Sequence, residues 1–269
     1  MLRMLLLTLL SVVGAGGCDR KATAPGVKAV TVLAAASLAD AFREAGAAFE
    51  ASNPGTRVEF SFAGSNQLRT QLENGGPGDV FASADRKQMD AAAASRAVDA
   101  ATVEVFAHNR LALIVPKANA AKVGALADLA RPGLKIVIAD AAVPVGNYTR
   151  LLVERAAALP GYGPAFVKGF EANVVSHEEN VAAVVTKVAL NEADAGLAYA
   201  SDAAGSNGPR IALVVIPREL EQHAEYLAAV TARAKDRQLA ARFVEFLRSK
   251  DAGALLVDRG FSLPGAEPP

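Results

Sequence analysis

Ala34-Ala35-Ala36-Ser37-Leu38-Ala39-Asp40 follows directly on the apolar run Val30-Thr31-Val32-Leu33, so a short strand runs into a helix whose first residue is a serine. The first backbone N–H groups of a helix lack intrahelical acceptors and sit at the positive end of its dipole, which makes such a junction a natural anion site. Phe62-Ala63-Gly64-Ser65-Asn66 repeats the arrangement between a second strand pattern and a second helical pattern. Taken alone, Ser37 reads as a helix cap, forming with Asp40 an S-x-x-D capping box.

Outward from these junctions the alternation continues. Leu38, Phe42, Ala45 and Phe49 share one helical face, Val58, Phe60 and Phe62 alternate as in a strand, and Leu68 and Leu72 return to helical spacing. Val80-Phe81-Ala82 reads as a strand, with Ser83-Ala84-Asp85 opening the next helix. After a strand at Leu111–Pro116 the pattern starts afresh. Strands are expected at Lys135–Ala139, Asn173–Val175 and Ala195–Tyr199, and helices at Tyr148–Ala158 and Asn180–Asn191, the latter with Val181, Val184, Val185 and Val188 inward. Strands at Ile211–Ile216 and Tyr226–Val230 and one long helix carrying Leu239, Phe243, Phe246 and Leu247 complete the chain. Strand and helix in alternation imply two α/β units, each a parallel sheet covered on both faces.

Composition narrows the function classes. The 269 residues carry 28 basic and 28 acidic side chains and no Trp, so there is no basic, aromatic-interleaved surface for nucleic acid. Met1-Leu2-Arg3-Met4 and the short apolar run to Val13 read as a secretory signal rather than a membrane span. The only cysteine, Cys18, follows Ala15-Gly16-Gly17 and cannot form an internal disulfide. The stretch resembles a bacterial lipobox with Ala15 in place of the usual Leu; cleavage after Ala22-Thr23-Ala24 is the alternative. Residues 19–26 read as a tether.

In open α/β sheets ligands sit at the carboxyl ends of strands, where helix N-termini converge. Ser37, Ser65, Ser83, Val145 and Val181 all fall near such junctions. Catalysis is not expected. No G-x-S-x-G elbow is present, only His108, His177 and His223 could serve a serine as base, and His177-Glu178-Glu179 lacks the second histidine of a zinc helix.

Six blocks carry a resemblance to a known family. Ala34–Leu38, Phe62–Ser65, Gly78–Asp85, Val143-Pro144-Val145-Gly146-Asn147-Tyr148, Glu179-Asn180-Val181 and Ala193–Asp202, in this order and spacing, resemble the molybdate-binding proteins of bacterial ABC transporters. The resemblance implies a type II periplasmic-binding-protein fold, two α/β lobes with a ligand cleft at the hinge. It places residues 27–108 and 203–269 in the first lobe and 109–202 in the second. It further implies an exported, monomeric protein that needs no cofactor, held at the membrane through lipidated Cys18 and delivering molybdate or tungstate to a permease. Ser37 and Ser65 would donate hydroxyls, Val145 and Val181 backbone N–H groups, and Tyr199 its phenol. The sequence departs from the family at Ala182, where Arg is frequent, and at Glu225-Tyr226-Leu227, where Glu-Tyr-Pro is frequent; neither site is expected to touch a donor. With no carboxylate among the five positions, a fully deprotonated dianion suits the site better than phosphate. Sulfate or another small anion is the alternative ligand, and a serine hydrolase the alternative activity.

Overall fold

The computed structural model describes residues 26–265. The apolar leader, Cys18 and the tether up to residue 25 lie outside the described residues, as do residues 266–269.

The first series is β1 (Lys28–Ala35), α1 (Ala39–Ser52), β2 (Thr56–Ala63), α2 (Ser65–Glu73), β3 (Val80–Ser83) and α3 (Arg86–Ala94). Strand β1 lies between β2 and β3 and is parallel to both, as strands joined by helical crossovers must be. The expected face of α1 is the buried one: Leu38, Phe42, Ala45 and Phe49 are all within 1% of complete burial. Phe42 and Phe49 meet Phe243 edge-on, with ring centroids 6.2 and 5.2 Å apart, the geometry the aromatic quadrupole prefers.

Strand β4 (Glu104–Pro116) is 13 residues long and begins well before the expected Leu111. The second series follows: β5 (Ile136–Ala139), α4 (Pro144–Ala157), α5 (Gly163–Asn173), β6 (Val174–Glu178), α6 (Val181–Ala189) and β7 (Ala195–Tyr199). Then come β8 (Ile211–Val214), β9 (His223–Val230), α7 (Arg237–Phe246) and α8 (Lys250–Asp258). The strand order is β2-β1-β3-β9-β4-β7-β5-β6, with β8 also on β4. The chain thus builds two α/β lobes around one shared strand. The inner half of β4, Glu104–Arg110, pairs with β9; its outer half, Leu111–Pro116, pairs with β7 and β8.

Two expectations are corrected. The sheet is mixed, because β9 is antiparallel to β3 and β4, and β4 is antiparallel to β7 and β8. Parallel pairing is enforced only where a helix carries the chain back to the start of a neighbouring strand, and β4 and β9 instead arrive from the other lobe. The last long helix is two, because Ser249 caps α8 by accepting the N–H of Ala252 at 3.2 Å. Helix α5 was not foreseen, although Phe166 and Phe170, one helical turn apart, are both buried. Among the described residues no helix is long and apolar enough to cross a membrane.

Two residues near the lobe junction test this architecture. A methyl group on Gly146, in the first turn of α4, would collide with the carbonyl oxygens of Ala139 and Asp140 at the end of β5. Gly146→Ala is expected to cost about 1–3 kcal/mol, read as a lower urea midpoint at unchanged slope. Asp202 follows β7 and accepts the N–H of Tyr199 through Oδ2 at 2.8 Å. Burial, with Asp40 adding repulsion, pushes its carboxyl up from 3.8 to about 7. The folded state therefore holds this proton where the unfolded chain releases it, and stability falls as pH rises between 3.8 and about 7. Asp202→Asn is expected to flatten that part of the melting-temperature profile; an unchanged slope refutes the assignment.

Candidate functional site

Four strand-to-helix junctions and the end of a fifth strand face one cleft. After β1 the chain makes a 3-10 turn, Ala36–Leu38, before α1. After β2, Gly64 is the N-cap of α2 and Ser65 its first residue. After β5, Val143 and Pro144 open α4; proline has no N–H, so Val145 supplies the first N–H of that helix. After β6, Asn180 caps α6 by accepting the N–H of Ala183 at 3.0 Å, with Val181 following it. Tyr199 ends β7. Ser37, Ser65, Val145, Val181 and Tyr199 all line a single small cavity.

The lobes meet closely around it. A Cβ on Gly64 would lie 2.7 Å from the carbonyl oxygen of Glu179, so a side chain there would push the two junctions apart. Gln67 Nε2 donates to Glu179 Oε2 at 3.2 Å, and Gln88 Nε2 to the Ala142 carbonyl at 3.2 Å.

The two valines bury their side chains, at 1% and 4% exposure, while standing in first helical turns whose N–H groups have no intrahelical acceptor. Ser65 Oγ accepts the N–H of Ala84 at 3.1 Å, which turns its own hydrogen elsewhere. Ser37 Oγ lies 2.8 Å from Tyr226 Oη. Tyr199 is 1% exposed, and its hydroxyl finds no hydrogen-bond partner among the described residues. Burial raises its phenol well above the ordinary range, so it stays protonated and can only gain by donating. Among the described residues that line the cavity there is no Asp, Glu, Lys or Arg. The walls therefore offer neutral donors without a charged side chain.

The capping box expected at Ser37 does not form. Ser37 sits inside the 3-10 turn, and neither Ala35 nor Leu38, the two cap positions, is side-chain bonded. Asp40 instead pairs with Arg43 at 3.0 Å and accepts the N–H of Ser206 at 2.7 Å. The Ser37 hydroxyl is turned to Tyr226, which corrects the expectation that the Glu225-Tyr226-Leu227 segment touches no donor. The signal for it was a polar-tipped aromatic heading the apolar run Leu227–Val230. Ala182, the other departure, lines an adjoining, larger cavity that shares Ser37 with the first. Among the described residues none of the three histidines lines the cavity of Ser37 and Ser65, and no cluster of three or more His, Cys, Asp or Glu could hold a metal ion.

Residues 30–262 match the family described as bacterial extracellular solute-binding protein. The molybdate-binding protein ModA of Mycobacterium tuberculosis is 37% identical over 239 residues, 89% of this chain and 86% of that protein. ModA of Escherichia coli is 30% identical over 240 residues, 87% of this chain and 89% of that protein. Two solved structures share the fold. The periplasmic molybdate-binding protein of Azotobacter vinelandii superposes with a TM-score of 0.74 at 20% identity, covering 87% of this chain and 99% of that one. The sulfate-binding protein SubI of M. tuberculosis superposes with a TM-score of 0.77 at 18% identity, covering 88% of each. The chain belongs to the bacterial extracellular solute-binding proteins and, within them, to the family of the molybdate-binding proteins ModA.

Proposed function

We propose that this chain captures molybdate, and with it tungstate, in the cavity between Ser37, Ser65, Val145, Val181 and Tyr199, and presents it to the permease of an ABC transporter. The observation that carries the reading is the buried Tyr199 hydroxyl with no partner among the described residues. An unmatched buried hydroxyl costs about 1–3 kcal/mol, a penalty that an anion accepting from it removes. A wall of donors without a carboxylate fits an anion that carries no proton, as molybdate and tungstate do at neutral pH. The relatives named as molybdate-binding proteins support the same ligand. The protein acts by binding, not as an enzyme. It works outside the cytoplasm as a monomer, anchored through lipidated Cys18, and no cofactor takes part. The lobes comprise residues 27–108 with 203–269, and residues 109–202; β8, within the former, pairs with the outer half of β4.

Hydrogen bonds to a charged group contribute about 1.5–3 kcal/mol each. Five of them, less the dehydration of a dianion, are enough for the roughly −8 to −12 kcal/mol of micromolar to nanomolar binding. Because the donors come from both lobes, the ligand favours the closed form, and that form is what the permease distinguishes.

Calorimetry with molybdate, tungstate, sulfate and phosphate tests the assignment. Molybdate and tungstate are expected to bind tightly, and at 1,000 times Kd to add about 4 kcal/mol to stability. The Ser37→Ala, Ser65→Ala double variant is expected to lose that shift and remain folded. Binding of sulfate alone rejects the ligand assignment. Tyr199→Phe separates a binding hydroxyl from a structural one. Molybdate affinity is expected to fall about tenfold, while the ligand-free protein melts no lower than the parent, since the change removes an unmatched buried polar group.

A further inference from the structure

We propose that the Asn180 side chain is a further donor to the bound anion: its amide oxygen caps α6, and its Nδ2 hydrogens are offered to the ligand. The inference deepens the molybdate assignment and rests on it.

Asn180 stands where β6 gives way to α6, is half-buried, and lines the cavity together with Ser37, Ser65 and Tyr199. The two ends of its amide are told apart by what faces them. One end lies 3.0 Å from the N–H of Ala183, which in the first turn of α6 has no intrahelical acceptor. Only an oxygen answers a donor, so that end is Oδ1 and the other is Nδ2. The cap is the one hydrogen bond that the Asn180 side chain makes among the described residues. Both hydrogens of Nδ2 are therefore uncommitted.

Among the described residues that line the cavity, Asn180 carries the only side-chain nitrogen. A cap at an isolated helix leaves its free amide end to bulk water, but this junction is pressed against the other lobe. A Cβ on Gly64, the N-cap of α2, would lie 2.7 Å from the carbonyl oxygen of Glu179, the residue before Asn180. A tetrahedral dianion has four oxygens, each able to accept more than one hydrogen bond, so the donors already assigned leave room for another. The neutrality of the amide matters as much as its hydrogens. Aspartate caps a helix as well as asparagine does, yet it would set a carboxylate oxygen in the place of Nδ2 and repel a dianion.

The test measures the molybdate Kd and the melting temperature of the ligand-free protein in three variants. Serine keeps the cap and has no amide, alanine has neither, and aspartate keeps the cap and adds charge. Asn180→Ser is expected to melt within about 2 °C of the parent and to bind molybdate about tenfold more weakly. Asn180→Ala is expected to lose a similar factor in affinity and also to melt lower, because the cap is gone. Asn180→Asp is expected to keep the parent's stability and to weaken molybdate by more than about a hundredfold. It serves as the readout if Asn180→Ser does not keep that stability. A change of less than about twofold in affinity in a folded Asn180→Ser or Asn180→Asp variant leaves the residue a helix cap alone, and overturns the proposal while the molybdate assignment stands. Failure of the parent protein to bind molybdate overturns both.

Discussion

Every helix that follows a strand in this fold begins with backbone N–H groups that its own hydrogen-bond ladder cannot satisfy. In most proteins water or a capping side chain answers that demand. Here four such beginnings, after β1, β2, β5 and β6, are turned toward one another across the boundary between two lobes, and only Asn180 among their cap residues bonds through its side chain. Such a concentration of uncommitted donors suits an anion, and among the described residues no cationic side chain lines the cavity wall. Without a fixed countercharge, what such a cleft offers an anion is the placement of neutral donors.

Close approach is what makes the geometry possible. Gly64 stands so near Glu179 of the other lobe that it has no room for a methyl group, and Gly146 is similarly placed against the end of β5. Apart from Asn180 and Tyr199, the described residues that line the cavity are small or aliphatic. Backbone thereby reaches the cleft, and the polar tips come from Ser37, Ser65, Asn180 and Tyr199.

Much of this was legible in the chain. Strand β7 falls at Ala195–Tyr199 as its uninterrupted apolar run suggests, and the inward faces of α1 and α6 follow the spacing of Phe42 and Phe49 and of Val181, Val184, Val185 and Val188. Side chains near each junction sort by local pattern, and local pattern is what a sequence displays. Strand direction at β9 and β4 was not legible, because it depends on which lobe the chain arrives from and not on any residue within the strand. The contact between Ser37 and Tyr226 joins residues 189 positions apart, and the cap-like sequence at Ser37 pointed to a local partner instead. All five expected site residues nevertheless line one cavity, since each occupies the position where a strand gives way to its helix or turn.

Strand β4 has a mechanical consequence. Its inner half is hydrogen-bonded into one lobe and its outer half into the other, with no loop between them, and its ladder with β9 shifts register between Val105 and Ala107. Any rotation of one lobe against the other must then be taken up as torsion distributed along a continuous ribbon. Such a ribbon behaves as a spring: the restoring torque grows with the angle of opening.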